Sequence, residues 1–404
     1  MTSRDRLLTF KHLILFIIMA TKRAIQRELD EFYRAISSGD FSIRAVSKSA
    51  FSQARKSLDP EVFTELSLTL HDSFYGEQAY LTFDNMRMLA IDGSRLNLPR
   101  HKSTLEAFGE VGYGPNADAQ RIQAQCSFLY DVLNLTVLDA QIEPLSVGEK
   151  TLAYRHLEKV RQGDFLLMDR GYPSLRLFFE LVSKGVHFCV RMNEHWWRTV
   201  KEFEATGHQE GIVRYKLGGK ARQALRHLGE IVDKELVLRI VCVTLDNGQK
   251  EYLCTTLADA QRYPHEMFAE LYHCRWGVEE AFKLLKERIG IEAFTGKTAI
   301  AVRQDFHAKV FAMNMFAVVA FPIEEQLRNE EGEERRHPRK LNRSSNMGSF
   351  LTSVTAIFIK GLVKEAIEAF DRIALKTTEI VRKGRKNPRK HKIKQPPAQA
   401  YKVM

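Results

Sequence analysis

Tyr272, Arg275, Glu279 and Lys286 stand three, four and seven residues apart in YHCRWGVEEAFKLLKERIG, residues 272 to 290. At about 100° per residue they fall within roughly 60° of one another on a helical wheel. Beside them runs an apolar face of Leu271, Cys274, Val278, Phe282, Leu285 and Ile289, so a phenol, two cations and a carboxylate line the edge of a core-facing helix. Two further carboxylates end apolar, strand-like runs: Asp92 follows MRMLAI and precedes Gly93, and Asp169 follows DFLLM and precedes Arg170 and Gly171. Singly, each Asp reads as a turn former and Glu279 as a surface partner of Lys283 or Lys286. Together they carry more, because neighbouring strand ends and a helix packed on the same sheet can converge three carboxylates. Hard oxygen donors of that kind suit Mg²⁺ or Mn²⁺, which keep waters and coordinate phosphate oxygens. Two such ions about 3.5–4 Å apart activate a nucleophile and stabilise the leaving oxygen of an in-line displacement. Tyr272, Arg275 and Lys286 would then hold a phosphate backbone near them.

The elements needed to position these residues are visible in the hydropathy pattern. Residues 1 to 80 read as a helical, DNA-binding domain. In it FSIRAVSKSAFSQARKSLDPEVF looks like two short helices about a turn, with Ser47 or Ser49 as a cap, Pro60 opening another helix, and Arg44, Lys48, Arg55 and Lys56 as basic contacts. From Met86 three strand-like runs follow in meander, then helix, buried strand, helix and strand in alternation up to Met192. That pattern predicts an α/β fold with a mixed sheet flanked by helices. Residues 192–257 return to β-rich character and interrupt the alternation as an insertion within a catalytic domain spanning 81–322. An apolar helix is expected over 307 to 321 and a mobile polar loop from Glu324 to Met347. A final helix over about 350 to 382 and a basic tail complete the 323–404 segment.

Composition narrows the function classes. The chain of 404 residues is 44% hydrophobic and 27% charged, enough for a large core and against global disorder. Five scattered cysteines without a C-x-x-C pair fit a reducing compartment, and the histidines show no zinc-like pairing. LILFIIMA, residues 13 to 20, is too short to span a bilayer and lacks a cleavage pattern at its end, so a soluble helical domain is preferred to a signal peptide. Net charge is +11, but the tail RKGRKNPRKHKIK, residues 382 to 394, carries eight of those charges and leaves +3 for the rest. Such a tail supplies salt-sensitive attraction to phosphate backbones. EAFTGKT, residues 292 to 298, imitates a phosphate-binding loop, but Ile291 stands where its first glycine is required.

The Tyr272, Arg275, Glu279, Lys286 spacing matches the Y-R-E-K signature of bacterial insertion-sequence transposases of the IS-four type. IDGSRLNLP around Asp92 and MDRGYPS around Asp169 resemble that family's two aspartate motifs, and SKSAFSQARKSLDPEVF resembles its N-terminal segment. The resemblance implies an RNase H-like catalytic domain in which Asp92, Asp169 and Glu279 bind two Mg²⁺ or Mn²⁺ ions. It further implies cut-and-paste transposition by strand cleavage and 3′-OH joining, through hairpin ends in many relatives. Double-stranded DNA (element ends and target) would be the substrate of a cytoplasmic, nucleoid-associated homodimer with no membrane partner. Arg191, after the fifth strand, resembles a family arginine that contacts DNA. Arg170 joins it as a DNA contact, and Trp197 is the candidate ring for a base taken out of the stack. Two other classes compete: a structure-specific nuclease or resolvase on the same fold, and a non-catalytic DNA-binding repressor derived from a transposase.

Overall fold

The computed structural model describes residues 7–20, 23–37, 44–77, 80–113, 119–193, 195–245, 247–330 and 337–381. Its centre is an eight-stranded mixed sheet. We number the strands β1 (Met88–Asn97), β2 (Gln123–Asp131), β3 (Thr136–Pro144), β4 (Phe165–Met168), β5 (His187–Met192), β6 (Glu210–Tyr215), β7 (Leu236–Thr244) and β8 (Lys250–Thr255). The spatial order is β3-β2-β1-β4-β5-β8-β7-β6. β1, β4 and β5 are parallel, while β2 runs antiparallel to both β1 and β3. This is the RNase H-like order, extended beyond β5 by the three strands of the 192–257 segment, which enter antiparallel.

Both faces of the sheet are covered, which is why its central strands are apolar without alternation. Met88 and Ala90 join one core with Val278, Phe282 and Phe306, whereas Leu89 and Ile91 join the other with Ala153, Leu177 and Phe178. The first core is crossed by the helix Ala299–Asn329. That helix is long and apolar enough to cross a membrane, yet 78% of its apolar window is buried inside the protein. The helix Phe10–Met19 packs into the same core, and Lys309 Nζ donates to the carbonyls of Ile17 (3.3 Å) and Ile18 (3.0 Å) at its C-terminal end.

Among the described residues the N-terminal segment forms four α-helices, Phe10–Met19, Ile25–Ile36, Lys48–Ala54 and Glu61–Glu77, with a 3-10 turn at Arg55–Ser57. Ser47 caps the third by accepting from Ala50 N, and Pro60 immediately precedes the fourth. Arg55 departs from its expected role as a basic surface contact. It is buried and donates to Gln304 Oε1 (2.8 Å), Thr295 Oγ1 (2.6 Å), Ala301 O (3.1 Å) and Asp305 Oδ1 (2.9 Å). The segment imitating a phosphate-binding loop therefore closes on a guanidinium of its own chain.

The C-terminal expectations need two corrections. The core helix continues through Pro322 to Asn329, because Ile323 and Leu327 keep its buried face apolar, so the polar segment is not a loop from Glu324 onward. The single final helix is two, Arg343–Phe358 and Val363–Lys376, broken at Gly361, whose φ of +69° suits glycine. Short strands Arg339–Leu341 and Thr378–Ile380 pair beside them. The basic tail lies outside the described residues.

Candidate active site

The pairing of β1 with β4 runs from Met88 opposite Phe165 to Ile91 opposite Met168, and there β4 stops. Asp92 and Asp169 are the next residues on each chain segment, so they stand side by side where the sheet centre opens. Asp92 does not end its strand, as its glycine neighbour suggested; β1 runs on through Gly93 to Asn97, paired with β2. A Cβ at 93 would lie 2.8 Å from Gln125 Nε2 and 3.1 Å from the Glu149 side chain, so any larger residue there displaces these two side chains.

Glu279 comes from the helix Trp276–Lys283, which packs on β1. One turn earlier, Arg275 is 5% exposed and bridges the acids: Nη2 donates to Glu279 Oε1 at 2.9 Å and Nη1 lies 3.8 Å from Asp92 Oδ2. Arg191 Nη2 pairs with Asp169 Oδ1 at 2.7 Å and its Nη1 with Glu251 at 2.5 Å. The Tyr272 hydroxyl donates to Met168 O (3.2 Å) and lies 3.5 Å from Asp169 Oδ1. Asp92 and Glu279 therefore share the Arg275 guanidinium, while Asp169 pairs with Arg191 beside them. Burial pushes the Asp92 carboxyl up to about 6, although the Gly93 N–H and Arg275 pull the other way; Glu279 and Glu149 push it further up. Burial likewise raises the Tyr272 phenol and lowers Lys286.

The stretch holding this stripe is helical from Met267, but its last turns, Leu284–Ile289, are π-helical, and Gly290 (φ +73°) ends them. That widening rotates Lys286 relative to an ideal wheel. Its Nζ donates to Ser94 Oγ (2.6 Å) and Arg95 O (2.7 Å), farther along β1 than the acids. Arg170 is exposed in the loop after β4. Trp197 packs against Phe178 and Tyr215 at the second core, whereas its neighbour Trp196 is 76% exposed.

Several groups around the acids carried no spacing signal. Glu149, which accepts from Gln125 Nε2, adds a fourth negative charge beside Asp92. The buried Tyr172 hydroxyl has no hydrogen-bond partner and feels Asp92, Glu149 and Asp169. Behind β1, His156 joins Asp139 (Nδ1, 2.6 Å) to Ser127 Oγ (Nε2, 2.9 Å), and the Ser127 hydroxyl lies 3.4 Å from the Asp92 carbonyl. The MDRGY motif placed Tyr172 in view; the other groups come from β2, β3 and the helix after β3, which only the sheet order brings together.

By chemistry this donor set fits a hard divalent cation: part-exposed carboxylates face one space, with Tyr172 Oη, Arg191 Nε and Arg275 Nε buried nearby without hydrogen-bond partners. As placed, however, Arg275 lies among the acids, and among the described residues no three His, Cys, Asp or Glu side chains stand together closely enough to hold an ion.

An RNase H-like sheet with acids at the ends of its β1–β4 pairing and on a facing helix defines a class of proteins. Residues 84–315 match the family model described as the transposase DDE domain, and the chain belongs to that family, whose members generally use divalent metal ions. It is 24% identical over 288 residues to the transposase InsG of insertion sequence element IS4 from Escherichia coli K12, covering 70% of this chain and 63% of that one. It is 20% identical over 349 residues to the transposase of element IS231E from Bacillus thuringiensis subsp. finitimus, covering 76% and 70%. The chain thus spans less than two thirds of the first relative's length. Among solved structures it resembles the piggyBac transposase synaptic complex with hairpin DNA, with a TM-score of 0.45 and 12% identity over 93% of this chain and 79% of that one.

Proposed function

We propose that the chain is a DNA transposase of an insertion sequence, cutting the element ends and joining their 3′-OH groups to target DNA. The observation that carries this reading is the placing of Asp92 and Asp169 just beyond the β1–β4 pairing, with Glu279 on the helix packed on β1 sharing Arg275 with Asp92. Family membership and the relatives' names support it. Asp92, Asp169 and Glu279 would hold two Mg²⁺ or Mn²⁺ ions. When bound, these supply positive charge to the phosphate and acidity to the attacking hydroxyl.

The remaining roles belong to the chain's own residues. Arg275 and Arg191, each charge-paired and partly desolvated, present guanidinium donors toward phosphate oxygens at the acids. Lys286 fixes β1 beyond Asp92 and adds charge along the DNA path, with Arg170 at the exposed loop. Tyr272 holds the end of β4 through Met168 O, which orients Asp169. Trp197, the candidate for a displaced base, is packed at the core edge, and exposed Trp196 beside it presents the freer ring. The four N-terminal helices recognise the ends, with Arg44, Lys48 and Lys56 as the basic contacts. Synapsis of two ends requires two copies of the chain, acting on DNA in the bacterial cytoplasm.

Asp92→Asn, Asp169→Asn and Glu279→Gln should each abolish metal-dependent cleavage while leaving DNA binding measurable. Cleavage surviving in all three overturns the assignment. Incubating the protein with pre-cut 3′-OH ends and a plasmid separates transposase from nuclease, because only a transposase gives joined product.

A further inference from the structure

Arg275 occupies the space where a cation would sit. Its guanidinium lies 2.9 Å from Glu279 and 3.8 Å from Asp92, and Asp169 also stabilises its charge. It rests between the rings of Tyr272 and Trp276, 5.8 and 5.5 Å from their centroids, and its Nε has no hydrogen-bond partner. A flexible stem carries the head, so a modest rotation would move it off the acids. Arg191 does the same service for Asp169 but is also anchored on Glu251, so it is the more fixed of the two.

We propose that Arg275 is an internal counter-ion that blocks divalent-metal binding at the acidic site until a DNA phosphate draws its guanidinium away. The inference rests on the functional reading above. A guanidinium and a divalent ion compete for the same carboxylate lone pairs, and each repels the other at short range. A phosphate is the ligand best matched to the guanidinium fork. DNA binding therefore frees the acids and metal binding frees Arg275, so each ligand raises the affinity of the other by the same factor. The enzyme would then assemble its metal centre only on DNA.

The test is direct Mn²⁺ binding by the full-length protein, followed by the loss of the free-ion electron paramagnetic resonance signal. Arg275→Gln keeps the hydrogen-bonding reach without the charge, and Arg275→Met keeps the apolar stem; melting curves check that both fold. Without DNA, both should bind Mn²⁺ at least about tenfold more tightly than the wild type. Asp92→Asn should abolish this site in either background. At saturating concentrations of a short DNA duplex, wild-type affinity should rise and the gap to the variants close. Equal affinity of wild type and both variants without DNA, or a gap that DNA leaves unchanged, overturns the counter-ion role while the acidic site stands. Mn²⁺ binding that is absent throughout, or insensitive to Asp92→Asn, overturns the functional reading itself.

Discussion

Replacing Asp92 with Asn should stabilise the metal-free protein at neutral pH and leave it unchanged in acid. Burial lifts this carboxyl from the ordinary 3.8 to about 6, so the folded state holds its proton more tightly than the unfolded chain does. The sign follows from that: wild-type stability falls as pH rises from about 3.8 to about 6, and the loss is complete above the folded value. A shift of about two units corresponds to about 3 kcal/mol at about 1.4 kcal/mol per unit. Asp92 is 22% exposed, so solvent trims this, and a gain of about 1–3 kcal/mol is expected. Asn keeps the side-chain oxygen that accepts from Gly93 N at 2.8 Å, so the substitution removes charge without orphaning that donor. The assay is urea unfolding with a chelator present at pH 4 and pH 8, comparing midpoints at constant slope. The variant should match the wild type at pH 4 and exceed it at pH 8, and Mn²⁺ should narrow the difference by stabilising the wild type alone. An equal difference at both pH values, or a variant weaker at pH 8, would refute the claim that burial strains this carboxylate.

Asp305→Asn should cost about 3–5 kcal/mol by leaving the Arg55 charge buried without its partner, and Arg55→Met with Asp305→Leu should recover part of that in a double-mutant cycle. Gly93→Ala should cost about 1–2 kcal/mol and displace Gln125 from Glu149, visible as altered side-chain amide signals in NMR spectra. Trp197→Ala should cost about 2–3 kcal/mol because its ring stacks on Phe178, whereas Trp196→Ala should stay within about 0.5 kcal/mol in the same urea titration.

The centre of the sheet was legible because its strands carry short apolar runs. FLLM between Asp164 and Asp169 is one such run, and MLAI, residues 88 to 91, opens β1, which continues through polar residues to Asn97. Convergence of Asp92 with Asp169 was legible for the same reason, since both follow the last apolar residue of parallel neighbours. The facing helix showed itself by its buried stripe, of which Leu271, Val278, Phe282, Leu285 and Ile289 are all buried. Its π-helical end was not legible. Nothing in LLKERI breaks an α-helical pattern, and the segment lies against the helices Arg343–Phe358 and Ala299–Asn329, neighbours that the sequence does not announce. Nor could spacing separate Trp196 from Trp197, because which of two adjacent rings meets Phe178 depends on where the chain leaves β5. The continuation of the core helix past Pro322 was missed because a proline signals a break locally, while Ile323 and Leu327 remain buried along the same face.

Arg55 and Arg275 show why burial alone could not have told an anchor from a working residue. Both are arginines on short amphipathic helical segments, and both are about 95% buried. Every guanidinium nitrogen of Arg55 is hydrogen-bonded, and its partner Asp305 is held in turn by the Thr295 backbone and hydroxyl. That network is closed: it gains nothing from a ligand and loses stability when any member is removed. Arg275 bonds Glu279, stands off Asp92 at ion-pair distance and leaves Nε unmet. Its network is open: a phosphate would complete the guanidinium's bonding, whereas a divalent ion on the acids would compete with it. Closed satisfaction around Arg55 fixes the helical N-terminal region to the catalytic core. Incomplete satisfaction around Arg275 leaves its guanidinium open to a further acceptor such as a phosphate oxygen.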